Sequence, residues 1–125
     1  MVVDVGAGAQ LDDEEVDRLF HALADATRRD ILRATLDGTE HNVSTLARRY
    51  PMSFAAVQKH VAVLTSAGLV TKERRGREQL VRGNPAAIER ARALLDEYEA
   101  VWRGRIDRIG DLLADETTQP EGADR

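Results

Sequence analysis

The chain has no cysteine, which excludes disulfide bonds, thiolate metal sites and thiol nucleophiles. Only five of its 125 residues are aromatic, a composition that favours one aliphatic, helix-rich domain. No apolar run approaches the roughly 20 residues that span a bilayer, and the first residues lack the basic region of a secretion signal. These absences together predict a cytoplasmic protein with no membrane partner.

The sequence also lacks the patterns that common catalytic sites require. It contains no glycine-rich phosphate loop, no nucleophile elbow and no Cys–His pair, and all three histidines precede the last predicted helix. Carboxylates on that helix could gather a hard cation, but such groups usually only solubilise a helix, and zinc prefers nitrogen and sulfur. The four carboxylates concerned are Glu89, Asp96, Glu97 and Glu99. We therefore predict a protein that is not an enzyme and has no metal site and no cofactor.

Charge is unevenly distributed along the chain, although the net charge is −4. Eight basic and two acidic residues lie between His41 and Arg82, a local charge of +6, whereas the rest carries ten basic and twenty acidic residues. Residues 51–72 contain no acid at all. A basic face on an acidic chain attracts phosphate over about one Debye length, near 10 Å, so this segment predicts a polyanionic partner.

Four capping positions predict four short helices, each followed by apolar residues at helical spacing. The caps are Asp12 or Asp13, Asp25, Asn42 and Ser53. Pro51 separates the third helix from the fourth, which gives the spacing of a helix-turn-helix. The fourth helix turns Val57, Val61 and Leu64 inward and ends at Gly68.

A basic hairpin follows the fourth helix. The pattern predicts strands over 69–74 and 78–82 around a turn of Arg75, Gly76 and Arg77. Asn84-Pro85 then opens the longest periodic segment of the chain. The fold class is therefore mainly α with a small β-hairpin, a winged helix-turn-helix of order α-α-α-α-β-β-α. We expect a flexible tail over 1–11, one domain over 12–114 and a disordered tail over 115–125.

The outer side of the fourth helix carries small or hydrogen-bonding residues near its start, which suits entry into a DNA major groove about 12 Å wide. These residues are Phe54, Ala55, Gln58 and Lys59. Taken alone, the helix is more often a core helix, and a basic hairpin is often only a solvated loop. The helix followed directly by the hairpin favours DNA binding, with arginines placed to reach phosphates or a minor groove.

Three stretches of the chain resemble the ArsR/SmtB family of bacterial winged-helix repressors, in the order and at the spacing of that family. They are LFHALADATRRDILRATL, PMSFAAVQKHVAVLTSAGLV and KERRGREQLVRGNP, and the resemblance covers residues 16 to about 85. The stretch from Trp102 to Ile109 resembles a subgroup without the usual metal ligands. Gln58 and Phe54 depart from the family, which commonly has a small hydroxyl residue and a polar or basic residue there.

The resemblance implies a homodimer that binds operator DNA and releases it when an effector arrives. Carried over by position, it implies that Ser53 caps the recognition helix and that the helix and the hairpin contact DNA. The implied DNA-binding residues are Ser53, Phe54, Ala55, Gln58, Lys59, Arg74, Arg75, Gly76 and Arg77. It also leaves room for a small apolar effector near a dimer interface.

The first and last helices carry more large apolar side chains than a small winged core can cover, which predicts a two-fold dimer through these helices and a palindromic operator. The predicted interface residues are Leu19, Phe20, Tyr98, Trp102, Ile106 and Ile109. Alternatively, these side chains cover their own fold. Two other functions stay open: a protein–protein interaction module that pairs through its terminal helix, and a metal-responsive repressor with a carboxylate/His site.

Overall fold

The computed structural model describes residues 11–123, with side chains up to Asp115, as five helices and three short strands. In chain order these elements are α1 (Asp13–Leu23), α2 (Ala26–Thr35), β1 (His41–Asn42), α3 (Val43–Ala47), α4 (Phe54–Ser66), β2 (Val70–Arg75), β3 (Glu78–Gly83) and α5 (Pro85–Ala123). The predicted class, a mainly helical winged helix-turn-helix, is confirmed. Strand β1 is the one addition within the described residues.

The strands form an antiparallel sheet in the order β1-β3-β2. In the hairpin, Val70 pairs with Gly83 and Arg75 pairs with Glu78. Each strand therefore ends one residue later than predicted, at Arg75 and at Gly83. The turn therefore shrinks to two residues, of which Gly76 has a φ of +66°, a conformation that glycine adopts without strain. Strand β1 has only two residues, too few to show the alternation that identifies a strand in a sequence.

All four helices before the hairpin begin at predicted N-caps. Asp12 and Glu15 form a reciprocal capping box, in which each carboxylate accepts a hydrogen bond from the backbone N–H of the other residue, at 2.7 and 2.9 Å. The other three caps each accept a backbone N–H near the start of their helix. They are Asp25, Asn42 and Ser53.

The core lies where α1 to α4, the hairpin and the first turn of α5 meet. Helix α4 contributes Val57, Val61 and Leu64, the inward face that its sequence predicts, and all three are buried. The other buried members are Leu19, Ala22, Ile31, Leu32, Val43, Leu46, Leu69, Val70, Val81 and Ala87. Because α4 is anchored along this face, its opposite side is held outward.

Leu19 corrects the predicted dimer interface. Its side chain is only 3% exposed and belongs to the core of the protomer, whereas the adjacent Phe20 is 42% exposed. The two residues are about 100° apart around α1, so both fit a broad apolar stripe. Spacing along the helix cannot show which edge of that stripe faces α2 and α4.

The ends of the fold also differ from prediction. Leu11, assigned to the flexible tail, is partly buried and packs against the core, at the position of a hydrophobic staple before the Asp12 cap. Residues 1–10 of that tail lie outside the described residues. Helix α5 runs to Ala123, so residues 115–123 are helical where disorder was predicted, and only 124–125 lie outside the described part. That prediction used the lack of core-forming residues, but helical backbone bonds do not require core contacts.

By their internal contacts, the described residues form two compact units, one over 11–91 and the other over 92–123. The first contains the sheet, helices α1 to α4 and the start of α5. The second consists of the remainder of α5. Each unit is described by itself below.

Gly83 allows a close approach that the sequence does not reveal. A Cβ atom there would lie 2.7 Å from the carbonyl oxygen of Thr35 and 2.8 Å from Cδ2 of Leu36. We expect Gly83→Ala to lower the free energy of unfolding by about 1–3 kcal/mol, the usual range for overpacking, as measured by urea unfolding. Gly110→Ala is the control, because nothing lies within 4 Å of that position in α5, and it should be neutral or slightly stabilising. Equal midpoints for the two variants would contradict the expectation.

Candidate nucleic-acid interface

The outer side of helix α4 presents its N-terminal half to solvent. Phe54, Ala55, Gln58 and Lys59 are all exposed, whereas Val57, Val61 and Leu64 of the same helix are buried. Ser53 caps the helix with its hydroxyl, which accepts a hydrogen bond from the backbone N–H of Ala56 at 3.1 Å. The predicted recognition residues therefore share one accessible surface.

An open groove of about 220 Å³ lies between this surface, the start of α3 and the hairpin. Phe54 and Gln58 line it from α4, and Arg74 and Arg77 line it from the hairpin. The remaining lining residues are Val43, Ser44 and Gln79. Four residues predicted to bind DNA, distant in sequence, thus surround one space.

The cations at and beside this groove are not neutralised within the part of the chain whose side chains the structure describes. Among residues 11–115, Lys59, Arg74 and Arg77 form no ion pair, and the same is true of Lys72 on β2. Their positive charge is therefore available to an anionic ligand. Unpaired guanidinium groups at a groove suit phosphate oxygens, which they can bind with two parallel hydrogen bonds.

Arg75 does not join this cluster, although the sequence groups it with Arg74 and Arg77. Successive residues of a strand point to opposite faces, so Arg75 lies on the outer face of the hairpin. Its Nη1 and Nη2 donate to the two carboxylate oxygens of Glu40 at 3.0 Å each, and Nη2 also donates to Glu73 at 3.2 Å. These two carboxylates raise the pKa of Arg75 above its ordinary value. The structure thus divides the predicted wing arginines into two groups.

The turn between α3 and α4 is attached to α2. The hydroxyl of Tyr50 donates a 2.7 Å hydrogen bond to Asp30. Burial, together with this bond to a carboxylate, raises the pKa of Tyr50 to about 12, so the phenol stays protonated and keeps donating. This contact fixes the approach of the chain to the start of α4.

His60, on the side of α4, packs within the fold. Its Nδ1 lies 3.3 Å from Nη1 of Arg28 and 3.9 Å from a carboxylate oxygen of Asp25. Arg28 in turn donates to the backbone carbonyls of His21 and Ala22, at 2.9 Å each. His60 therefore links α4 to the start of α2. No sequence pattern around Arg28 predicts that it links the end of α1 to His60 on α4.

The described residues contain no group of three or more histidines, aspartates and glutamates placed to hold a metal ion. His41 is instead paired with Asp37, at 3.1 Å. The backbone N–H of Thr39, together with the His41 and Thr39 side chains, lowers the pKa of Asp37 to about 2. No helix within the described range is long and apolar enough to cross a membrane.

Helix α5 presents a row of large apolar side chains in the second unit. Tyr98, Trp102, Ile106 and Ile109, all predicted interface residues, are between 46% and 59% exposed, as is Leu95. At about 100° per residue, all five lie within about 40° of Trp102 around the helix. We call these five residues the α5 stripe.

Comparisons with known proteins agree with this fold. A helix-turn-helix domain family matches residues 23–73. The chain is 37% identical, over 80% of its length and 90% of the other protein, to the HTH-type transcriptional regulator Rv2034 of Mycobacterium tuberculosis. An ArsR-like transcriptional regulator from Rhodococcus sp. RHA1 has 32% identity and a TM-score of 0.71, over 79% of this chain and 92% of that one.

A further structure matches at 29% identity with a TM-score of 0.54, over 70% of this chain and 82% of the other. It is the homodimeric winged helix-turn-helix DNA-binding domain Mb0332 from Mycobacterium bovis. The helix-turn-helix, the hairpin beside it and these similarities lead to one conclusion. The chain belongs to the ArsR family of winged helix-turn-helix transcriptional regulators.

Proposed function

We propose that this regulator is a repressor that binds a palindromic operator as a homodimer and releases it in response to a non-metal effector. One observation carries the DNA-binding part of the proposal. Phe54 and Gln58 on α4 surround the same groove as Arg74 and Arg77 on the hairpin, and neither arginine forms an ion pair within residues 11–115. In this arrangement α4 can contact base edges while the neighbouring arginines contact phosphates.

Each residue of the proposed DNA-binding surface has a distinct role. The amide of Gln58 offers a donor and an acceptor together, which matches the N6 and N7 atoms of adenine, and Phe54 is suited to a thymine methyl group. Ser53 and Ala55 start the helix and allow the backbone to approach DNA closely. Lys59, Arg74 and Arg77 hold phosphates and set the register of the protein on the duplex.

Two arguments support a homodimer. A single recognition helix buries too little surface for tight specific binding, so a second copy is required. The α5 stripe is also symmetric about Trp102: Tyr98 and Ile106 lie four residues away on either side, and Leu95 and Ile109 lie seven away. Two antiparallel copies of α5 that cross at Trp102 would therefore place each apolar residue opposite another.

The charges of α5 support the antiparallel arrangement. Three acids, Asp96, Glu97 and Glu99, precede Trp102, whereas the charged residues from 103 to 108 are three arginines and Asp107. Antiparallel pairing places the acidic half of each helix beside the basic half of the other. Parallel pairing would place like charges together, which is unfavourable.

The proposed effector is a small apolar molecule. The chain has no cysteine, and an open depression of about 230 Å³ lies between α1 and α4, with a mainly apolar lining. Its lining residues are Arg18, His21, Ala62, Val63 and Ser66. A ligand there would contact the C-terminal half of the recognition helix, and could bias its position on DNA.

Binding to the DNA upstream of the protein's own gene tests the proposed function. Footprinting should reveal a two-fold symmetric site with half-sites about 34 Å apart, and log affinity should fall linearly with log salt. A random duplex of equal length is the control. Equal affinity for both duplexes, with the dimer intact, would instead support the alternative of a protein–protein interaction module.

The two wing arginines should differ in their effect on DNA. We expect Arg77→Ala to weaken binding to every duplex and to reduce the salt slope by about one for each protomer, because its guanidinium lies at the groove without an ion pair among the described residues. Arg75→Ala should change the slope by about half as much or less, because Glu40 already pairs with that charge. The sequence alone predicts equal effects. Fluorescence anisotropy over a range of salt concentrations measures both, and equal slope changes would contradict the division of the wing.

A further inference from the structure

Glu40 connects the segment before β1 to both strands of the hairpin. Its two carboxylate oxygens each accept a 3.0 Å hydrogen bond from Arg75 on β2, and one of them lies 3.8 Å from Nη2 of Arg82 on β3. The Glu40 side chain is 28% exposed, the lowest fraction of the four groups in this cluster. The residues around Glu40 do not predict this pairing, because its partners lie 35 and 42 positions further along the chain.

This cluster is electrically neutral. Two arginines, Arg75 and Arg82, face two carboxylates, Glu40 and Glu73, on the outer face of the hairpin. The cations on the groove side of the hairpin form no such ion pairs with the described residues. The outer face of the hairpin, where Glu78 also lies opposite Arg75, therefore carries no net positive charge, whereas the face toward the groove is positive.

We propose that Glu40 is a specificity-determining residue that withholds Arg75 and Arg82 from DNA phosphates. Nonspecific affinity for duplex DNA depends on the number of phosphates that cations neutralise, whereas base contacts provide the discrimination. By pairing with two arginines, Glu40 restricts the wing to the phosphate contacts that accompany base reading on the groove side. The proposal rests on the DNA-binding function proposed above.

The bidentate geometry explains why Glu40, and not simply the local acidity, has this effect. Two parallel hydrogen bonds from one guanidinium to one carboxylate fix both groups, and they are stronger than a single contact. Glu78, across the turn in register with Arg75, has the same charge and lies on the same hairpin, yet forms no ion pair among the described residues. Glu78→Gln is thus a matched control for the change of net charge.

The test compares Glu40→Gln with Glu78→Gln in binding to operator and random duplexes across a salt series. Wild-type protein on the two duplexes first establishes specific binding, so a failure of the proposed function is recognised separately. Glu40→Gln should raise random-duplex affinity about tenfold at low salt, steepen the salt slope by up to about two for each protomer, and reduce the ratio of operator to random affinity. Glu78→Gln should change random-duplex affinity by less than about threefold and leave the slope unchanged.

A second variant identifies which cation is released. Adding Arg75→Ala to Glu40→Gln should remove about half of the increase in salt slope that Glu40→Gln causes, because one of the two released arginines is then missing. The Arg75 Nε–H resonance in ¹⁵N NMR reports the pairing without DNA, and it should shift and broaden in Glu40→Gln but not in Glu78→Gln. The proposal is overturned if both single variants give the same affinities and slopes, or if Glu40→Gln weakens binding to the random duplex.

Discussion

Replacing Trp102 with glutamate is expected to separate the proposed dimer and to weaken operator binding by about 100-fold or more. Trp102 is the centre of the α5 stripe, so in an antiparallel pair each copy would contact the other across the two-fold axis. A carboxylate there would be buried beside a second carboxylate, which is strongly unfavourable. A monomer with one reading helix loses the high effective concentration that the second helix has in a dimer.

Sedimentation at micromolar concentration measures the assembly, and titration with operator DNA measures the affinity. Val101→Glu is the matched control, since Val101 is exposed and adjacent but lies about 100° away from the stripe. That variant should remain dimeric. If Trp102→Glu sediments like the wild type, or if both variants become monomers together, pairing centred on Trp102 is wrong.

Replacing Gln58 with alanine is expected to remove base discrimination while leaving general attraction to DNA intact. Each recognition helix should lose about 1–3 kcal/mol of specific binding free energy, so a dimer should lose about 2–6 kcal/mol in total. Affinity for a random duplex should be unchanged, because the exposed amide carries no charge. Gln58 is also outside the core, so folding should be unaffected.

Competition between operator and random duplexes separates these two components. Lys59→Ala serves as the comparison: it is the neighbouring exposed position, and its loss should weaken both duplexes to a similar extent. Substituted operators then locate the base that Gln58 contacts, since a change of that base should have little further effect on Gln58→Ala. An equal loss on both duplexes for Gln58→Ala would refute its role in base reading.

Local signals accounted for most of the fold. The four N-caps and the inward face of α4 each depend on residues within about one turn of helix, which a sequence displays directly. The exposure of Ala55, Gln58 and Lys59 follows from that inward face. The presence of the hairpin was predictable for the same reason, since Gly76 and the flanking strands are adjacent.

Contacts between distant residues account for the errors at the wing and at strand β1. Arg75 is one step from Arg74 in sequence, but its environment is set by Glu40, which lies 35 residues earlier. Strand β1 exists because His41 and Asn42 pair with Val81 and Leu80. Such pairings depend on the assembled fold, and a single sequence carries no pattern that identifies them.

The order of charges along α5 has a consequence for a cell that contains several regulators of this family. In antiparallel pairs, a chain with acids before the crossing point and bases after it is compatible with itself. So is a chain with the reverse order. A mixed pair of the two would oppose acid to acid and base to base, so charge order alone would sort related chains into separate assemblies. Selection of partners would then require no difference in the apolar residues that hold each pair together.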